Sequence, residues 1–368
     1  MAWNAAELFA GAGGLGMGFF RSPDFNITMA NEIDPDIALT YERNHPGVRT
    51  LCLGIETLDE ETLVLAGAVP GKIDLVLGGP PCQSYSTVGR RRMDERAGLF
   101  SEYARILFIL RPRAFLFENV PGILSMDRGR LFPRIQKAFG ELGYELKHQV
   151  LDAAGFGVPQ HRERVILVGF LGKNPFEFPA PRYGSGHRAP YVTLRDAIGD
   201  LPSIGPGEFS ETYGSPPRTW YQAFMRDGLP AGAPLTEHRA GNYGERLRAV
   251  MAALPEGGDK SDLPEELQPG SGYKNTYARL WWDRPSTTVT RNFGTPSSSR
   301  CVHPGDDRAL TIREGARLQS FPDSFEFLGS ETKKRLMIGN AVPPLLSMAL
   351  AQAMVRALRE AEKGWETR

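Results

Sequence analysis

The stretch "AAELFAGAGGLGMGF", residues 5–19, decides the fold class. A short apolar run ends at Phe9, a glycine-rich loop follows, and apolar residues at helical spacing come next. Gly11, Gly13 and Gly16 satisfy the pattern G-x-G-x-x-G, which is typical of a strand that turns into a helix beside a bound nucleotide. The pattern alone fits dinucleotide sites and S-adenosylmethionine sites alike. We therefore expect a nucleotide-binding α/β domain and leave the ligand open at this point.

Short apolar segments follow this loop and alternate with helical patterns. The strand-like segments are "NITMANE", "IDLVLGG", "AFLFENV" and "RVILVGF". Apolar residues at helical spacing occur in "FSEYARILFILR" and "LFPRIQKAFGELG". Strands this apolar are typical of a sheet that is covered on both faces. The alternation therefore predicts a mostly parallel, doubly wound, Rossmann-like sheet.

The composition changes near Tyr183. From there to about Asp307 the chain is rich in Gly, Pro, Ser, Thr, Arg and Tyr, and helical signals are few. This predicts a smaller, loop-rich lobe with irregular β structure, which suits recognition. Helical order returns with "TIREGARLQSF", where Thr311 and Glu314 have the spacing of a capping box, and the chain ends in an amphipathic helix after "PP".

The overall composition excludes some classes of protein. The 368 residues include 43 Lys and Arg against 43 Asp and Glu, so the chain is not a globally basic coat protein, although a local basic groove remains possible. The three cysteines and six histidines show neither a disulfide framework nor a metal-binding spacing, and we expect no metal. We also expect no signal peptide, because the first residues lack a charged leader followed by a long apolar core, and no membrane span, because the apolar runs are short. The expected location is the cytoplasm.

Three polar side chains follow separate predicted strands. Glu32 ends the second strand, Cys82 comes after "IDLVLGG", and Glu118 lies at the end of the "AFLFENV" strand. Because ligands bind at the carboxyl ends of parallel strands, we expect the three to converge on one site, with Glu32 accepting hydrogen bonds from ribose hydroxyls. Taken singly, each has an ordinary alternative: a buried cysteine fills a core, and a glutamate lies on the surface.

Two arginines could activate the thiol. Arg162 and Arg164, in "QHRERV", come just before a strand, and a nearby guanidinium favours the reactive thiolate form of a cysteine. Pro81 fixes the backbone beside Cys82 and would aim its side chain. The alternative for the arginines is a pair of solvated charges in a loop.

Seven stretches, in this order along nearly the whole chain, resemble the DNA (cytosine-5-)-methyltransferase family in its compact prokaryotic, restriction-modification form. They are "LFAGAGGLGMGF", "GGPPCQSYS", "RAGLFSEYARIL", "FENVPGI", "VPQHRERVILVGF", "LTIREGARLQSFPDSF" and "GNAVPP".

The resemblance implies a covalent mechanism on a cytosine that is rotated out of duplex DNA. Attack of the Cys82 thiolate on C6 makes C5 nucleophilic, C5 takes the methyl group of S-adenosylmethionine to leave S-adenosylhomocysteine, and loss of the C5 proton releases Cys82. Glu118 would bind the N3 and amino edge of the base, and Asn119 would help fix the loop. Arg162 and Arg164 would stabilise negative charge at O2.

The resemblance also implies a set of cofactor contacts, with Phe9 and Ile33 against the adenine and Glu32 on the ribose. The full set is Phe9, Gly11, Gly13, Gly16, Glu32, Ile33, Ile55, Pro80, Leu99, Asn340 and Val342. One position departs from the family: Gly54 precedes Ile55 where an Asp that contacts the adenine amino group is frequent. Glu56 or a backbone group is the expected substitute.

Double-stranded DNA is the implied partner. The basic loop "SYSTVGRRRMDERAG" is a candidate lid over the DNA, although an ordinary basic surface loop has the same composition. The expected DNA contacts are Gln83, Ser86, Arg90, Arg91, Arg279, Arg291 and Asn292.

The expected domains are 1–190 for catalysis and the cofactor, 191–308 for target recognition, 309–337 as a hinge region, and 338–368 as a return to the catalytic domain. A monomer with a separately encoded restriction endonuclease is expected.

Other functions stay open from the sequence alone. An RNA methyltransferase of the same fold would act on tRNA, but the sizeable second lobe favours duplex DNA. A catalytically silent DNA-binding relative is disfavoured because Cys82, Glu118 and both arginines are present. A dinucleotide enzyme that uses the same glycine loop would bind nicotinamide.

Overall fold

The structure is a computed structural model that describes residues 2–81, 98–270 and 276–366. The chain forms two compact units. The first, called the sheet unit, comprises 1–152, 163–180 and 346–368; the second, called the loop-rich unit, comprises 153–162 and 181–345. These boundaries fall at other positions than the expected domain limits, which stay predictions.

The sheet unit is built on a seven-stranded sheet within the described residues, in the order β3-β2-β1-β4-β5-β7-β6. The strands are β1 Trp3–Leu8, β2 Phe25–Asn31, β3 Arg49–Leu51, β4 Leu75–Gly78, β5 Ala114–Asn119, β6 Tyr144–Asp152 and β7 Glu163–Leu171. The first five pair in parallel, whereas β7 runs antiparallel to both β5 and β6. The predicted Rossmann-like, mostly parallel α/β sheet is confirmed.

Five helices and a C-terminal helix accompany this sheet among the described residues. They are α1 Gly16–Phe20, α2 Pro35–Asn44, α3 Glu60–Leu65, α4 Leu99–Leu110, α5 Leu131–Glu141 and the C-terminal helix Pro344–Glu366. Helix α2 begins where it does because Asp34 caps the amide of Asp36 and a proline occupies the first turn. Strands β1, β2, β4, β5 and β7 are mostly buried and apolar, so this part of the sheet core follows from the hydrophobic runs seen in the sequence, whereas β3 and β6 are largely half-buried or exposed.

The loop-rich unit contains short elements joined by long irregular segments. Its helices are α6 Leu194–Ile198, α7 Trp220–Met225, α8 Glu245–Ala253, α9 Ile312–Leu318 and α10 Glu331–Asn340, and its strands are β8 Ala278–Arg279 and β9 Arg300–Val302. The capping box predicted at Thr311 is confirmed: its side chain accepts from the Glu314 amide, and the Glu314 carboxylate accepts from the Thr311 amide.

The core of the loop-rich unit carries charge. Helix α9 is buried at every position, including Arg313, Glu314 and Arg317. Arg317 pairs with Asp200 at 2.5 Å and with Asp323 at 2.6 Å. Buried ion pairs are therefore part of this core together with its apolar side chains.

One stretch, Glu331–Lys363, is long and apolar enough to cross a membrane by length and composition. The expectation that all apolar runs are too short is corrected in that respect. Because 61% of its most apolar window is buried inside the protein, it has the character of a core helix, which passes the same test.

Candidate active site

The loop after β1 has a strained backbone. Phe9 has a φ of 52° and Gly11 a φ of 56°, both in the left-handed region, which a bulky residue such as phenylalanine rarely adopts. Such strain persists only where the surroundings hold it, and it concentrates at functional sites. The loop is held by neighbouring backbone, since the amide of Ala10 donates to the carbonyl of Asn31 at 2.9 Å.

Glu32 joins this loop to the end of β2. Its Oε2 accepts from the amide of Gly11 at 3.0 Å, and its Oε1 accepts from the amide of Asp34 at 3.0 Å. Burial raises the pKa of Glu32, while the two amides oppose that shift. The carboxylate is thus fixed in orientation, and each oxygen keeps acceptor capacity for a ligand hydroxyl.

An apolar surface lies beside Glu32. Ile33 is 67% exposed, which is unusual for a large apolar side chain, whereas Ile55 is buried. The segment that carries Ile55 is held by two residues that the sequence did not single out. Asn31 donates to the carbonyl of Leu53 at 2.8 Å, and Arg105 donates to the carbonyl of Ile55 at 2.8 Å.

Gly54 leaves room for a neighbouring carboxylate. A Cβ on Gly54 would lie inside 3.0 Å of Oε1, Cδ and Oε2 of Glu56, closer than real Cβ atoms come. The Glu56 carboxylate therefore occupies the space next to residue 54 where a side chain would begin. A glycine at this position is what allows Glu56 to fold back over the segment.

The end of β5 brings a carboxylate and a guanidinium together. Arg164 Nε lies 2.7 Å from Glu118 Oε1, and both side chains are about one-tenth exposed. The pair forms because β5 and β7 run antiparallel, with Glu118 opposite Ile166 and Asn119 opposite Val165. A partly buried, hydrogen-bonded pair of this kind holds both side chains in fixed directions.

Asn119 fixes the chain that leads to Cys82. Its Nδ2 donates to the carbonyl of Pro80 at 3.0 Å, and its Oδ1 accepts from the amide of Val120 at 2.9 Å. Pro80 is buried and Pro81 is exposed. The backbone is therefore anchored two residues before the cysteine.

Several predicted site residues lie outside the described residues: Cys82, Gln83, Ser86, Arg90 and Arg91. Leu99, which begins α4, is half-buried.

Arg162 belongs to the loop-rich unit, although Arg164 belongs to the sheet unit. Arg162 is 1% exposed, and its guanidinium donates to the carbonyl of Val289 at 3.0 Å and of Gly339 at 2.7 Å. Asn340 is exposed at the end of α10, and Val342 is buried. Arg162 therefore holds the backbone that leads into Asn340.

Among the expected DNA contacts in the loop-rich unit, Arg291 and Asn292 are exposed, whereas Arg279 is 4% exposed. The Arg279 guanidinium donates to the carbonyls of Leu254, His303, Asp306 and Met251 and to the carboxylate of Asp307. Its donors are used inside the unit, so we correct the expectation of a DNA contact and assign Arg279 a structural role.

The described residues contain no group of three or more His, Cys, Asp or Glu side chains that could hold a metal ion. The polar groups on the sheet edge are instead suited to hydrogen bonding and to stabilising charge.

Comparison with known proteins gives a consistent result. The family model for C-5 cytosine-specific DNA methylases matches residues 3–356. The Type II methyltransferase M1.HphI of Haemophilus parahaemolyticus is 35% identical, over 97% of this chain and 87% of its own length. M.AgeI of Thalassovita gelatinovora is 34% identical, over 96% of this chain and 99% of its own length.

Solved structures share the fold. A prophage-encoded protein of Escherichia coli, described as a DNA modification methyltransferase, has a TM-score of 0.78 at 24% identity and covers 97% of this chain and all of its own. A DNMT2 variant of Spodoptera frugiperda has a TM-score of 0.63 at 15% identity, over 96% of this chain and all of its own.

Proposed function

The chain belongs to the C-5 cytosine-specific DNA methylase family and is a DNA (cytosine-5-)-methyltransferase, and from that premise we propose that it is the modification enzyme of a restriction-modification system, acting through Cys82 on a cytosine rotated out of duplex DNA. The cofactor is S-adenosylmethionine, which supplies the methyl group and leaves as S-adenosylhomocysteine. A monomer in the cytoplasm, with a separately encoded endonuclease, completes the proposal.

The observation that carries this proposal is the arrangement at the end of β5. Glu118 is paired with Arg164 at 2.7 Å, and the next residue, Asn119, binds the carbonyl of Pro80 at 3.0 Å. A carboxylate, a cation and the anchored approach to Cys82 thus belong to one edge of one sheet, where parallel strands present their ligands.

Each residue has a defined role in the proposed reaction. The Cys82 thiolate forms a bond to C6, the electrons of the C5–C6 double bond shift to C4–C5, and those of the C4–N3 double bond shift to N3. Glu118 shares a proton with N3 as charge develops there, and Arg164 stabilises charge at O2. After C5 is methylated, a base removes the C5 proton, and the electrons of that C–H bond restore the double bond as Cys82 leaves. Arg162 was expected to act at O2 as well; because its guanidinium donates to the carbonyls of Val289 and Gly339, we propose instead that it supports the reaction by holding the segment before Asn340.

The cofactor would lie on the sheet edge between Phe9 and Ile33, with Glu32 on the ribose. Two observations fit such a ligand. A Cβ on Gly11 would meet nothing within 4 Å, so the loop has an open side, and Ile33 is 67% exposed. The remaining proposed contacts are Gly13, Gly16, Ile55, Pro80, Leu99, Asn340 and Val342.

We propose that Glu56 accepts from the adenine amino group in place of a side chain at residue 54. Glu56→Ala should weaken cofactor binding about tenfold, the effect of losing a charged hydrogen-bond partner. Glu61→Ala removes another exposed carboxylate from the same segment and should leave binding unchanged. Titration calorimetry with S-adenosylhomocysteine measures both; equal affinities for the two variants would exclude Glu56.

Duplex DNA is the proposed substrate, contacted by Gln83, Ser86, Arg90, Arg91, Arg291 and Asn292. Extruding the cytosine costs a few kcal/mol, about what several phosphate and base contacts can offset.

The proposal is tested by methyl transfer from labelled S-adenosylmethionine to duplex DNA, with tRNA as a parallel substrate. Wild-type protein and Cys52→Ser should methylate DNA at C5 of cytosine, because Cys52 is not a proposed catalytic group and serine keeps a donor toward the Ile33 carbonyl that the Cys52 thiol contacts. Cys82→Ser should lose turnover and keep cofactor binding. Methylation of tRNA alone, or full activity of Cys82→Ser, would overturn the proposal.

A further inference from the structure

The glycine loop of the sheet unit rests on three buried polar residues that the proposed chemistry does not use. Glu7 lies on β1, Tyr41 on α2, and His45 directly after α2, and each is at most 1% exposed. Together they are called the loop floor.

Glu7 lies directly under Gly16. A Cβ on Gly16 would come within 3.0 Å of Glu7 Oε2 and Cδ, closer than real Cβ atoms approach. The same Oε2 accepts from the Tyr41 hydroxyl at 2.8 Å, and the backbone of Gly16 also hydrogen-bonds Glu7. Gly16 begins α1 with an ordinary negative φ, so the glycine is required here by the carboxyl group beneath it.

His45 occupies the corresponding position under Gly13. A Cβ on Gly13 would lie inside 3.0 Å of the His45 Cε1 and Nε2 atoms. The ring stacks on Tyr41 with centroids 4.0 Å apart and planes 14° apart, and its Nδ1 lies 2.9 Å from the Tyr41 carbonyl oxygen. That contact makes Nδ1 the donor and fixes the ring in place.

The polar groups of the loop floor are not explained by packing alone. Glu7 Oε1 is buried and has no hydrogen-bond partner among the described residues, and the His45 ring interacts with the backbone of Tyr41 and of Gly13. Apolar residues of similar size would fill this space without the desolvation cost of a carboxyl group and an imidazole. Gly11 differs from the other two glycines, because its side of the loop is open.

We infer that Glu7, Tyr41 and His45 are positioning residues that set the curvature of the glycine loop and thereby the affinity for the methyl donor. At Gly13 and Gly16 a side chain would collide with the loop floor. At Gly11 a side chain would instead occupy the open side of the loop, where the ligand is proposed to bind. The inference rests on the proposed function, since it takes the open side of the loop as the cofactor side.

The first test compares two buried tyrosines of the sheet unit. Tyr41→Phe removes the hydroxyl that binds Glu7. Tyr144→Phe removes a hydroxyl that donates to the carbonyl of Pro112 at 2.9 Å, at the beginning of β5 rather than at the cofactor edge. S-adenosylhomocysteine affinity, measured by calorimetry, should fall about tenfold in Tyr41→Phe and stay at the wild-type value in Tyr144→Phe, with similar losses of thermal midpoint.

The outcomes separate the inference from the function. If the wild-type protein binds no S-adenosylhomocysteine, the proposed function fails. If the wild-type protein binds S-adenosylhomocysteine and the two tyrosine variants have equal affinities, the role of the loop floor is excluded and the proposed function is not. The turnover number at saturating cofactor should stay within about threefold of wild type in Tyr41→Phe, because the floor acts on cofactor affinity.

A double-mutant cycle gives a second, independent test. Glu7→Ala and Gly16→Ala should each weaken S-adenosylhomocysteine binding about tenfold, and the double variant should bind no worse than the weaker single variant, because removing the carboxyl group makes room for the new methyl group. Glu7→Gln, which keeps an acceptor for Tyr41, should bind within about threefold of wild type. Additive losses in the double variant would mean that the methyl group added at Gly16 meets the ligand and not Glu7, and the inference would be wrong.

Discussion

Both units bury carboxyl groups, but the two environments give these groups opposite properties. In the sheet unit, Glu7 has a hydroxyl and a backbone amide as partners. In the loop-rich unit, Glu314 receives two hydrogen bonds from Arg308, each of 2.8 Å. For these two acids, burial raises the pKa where no cation is paired with the carboxyl group, and a paired arginine outweighs burial where one is present.

The pKa values follow from these partners. Burial raises the pKa of Glu7 to about 7, and the Tyr41 and Gly16 hydrogen bonds only moderate the shift. Burial acts in the same direction on Glu314, but Arg308 and His303 outweigh it and hold its pKa well below the usual range. Asp323 behaves like Glu314, since Arg317 and Arg313 overcome its burial and lower its pKa. The sheet unit thus contains an acid that titrates near neutrality, and the loop-rich unit contains permanent ion pairs.

The largest effect is expected from breaking an ion pair inside the loop-rich unit. Arg317→Met removes the cation that bridges Asp200 and Asp323, both buried, and leaves each acid one remaining arginine, Arg226 on Asp200 and Arg313 at 3.5 Å from Asp323. We expect a loss of about 3–5 kcal/mol in the free energy of unfolding, measured by urea titration. A loss below about 1 kcal/mol would show that Arg317 is not needed to stabilise the two buried acids, and the account of this core would be wrong.

A smaller, pH-dependent effect is expected at Glu7. Since the folded state raises its pKa from 4.5 to about 7, its contribution to stability is complete below pH 4.5 and is lost as the pH rises through about 7. The unfolding free energy of wild type minus that of Glu7→Gln should therefore fall, by at most about 3 kcal/mol, between about pH 4.5 and pH 8.

This difference isolates Glu7 from His45. Burial lowers the pKa of His45 to about 4, so the contribution of His45 to stability has the opposite pH dependence. Wild type and Glu7→Gln share this contribution, and it cancels in the difference. A difference that does not change with pH would show that Glu7 has an ordinary pKa.

The smallest effect is expected at an exposed pair. Arg195 and Asp283 lie 2.8 Å apart with most of both side chains in solvent. Arg195→Met should leave the urea midpoint unchanged, because water and salt screen such a pair. Arg195→Met is also the matched control for Arg317→Met. A large loss of unfolding free energy in Arg195→Met would mean that removing an arginine destabilises the protein irrespective of burial.

The sequence predicted the parts of the fold that local patterns determine. The glycine loop, the buried strands of the sheet and the Thr311 capping box depend on residues close in the chain, and the structure confirms them. Strand β6 was missed because its side chains are mostly polar or half-exposed, so no apolar run marks it.

The features that were missed depend on distant partners. Glu7 and Tyr41 are 34 residues apart, and a single acid in an apolar strand gives no sign of what it binds. Arg162 and Arg164 are neighbours in "QHRERV", yet they belong to different units. The sequence around Arg279 predicts a DNA-binding arginine, whereas in the structure its guanidinium donates to five groups of its own unit.

The central claim is that the Cys82 thiolate bonds to the ring of an extruded cytosine. A duplex with 5-fluorocytosine at the target position tests it most directly, because fluorine blocks loss of the C5 substituent and traps the adduct. With S-adenosylmethionine present, mass spectrometry of the denatured protein should find the DNA attached to Cys82, in wild type and Cys52→Ser but not in Cys82→Ser. Methylated ordinary duplex without any trapped adduct, or an adduct on another residue, would contradict the account.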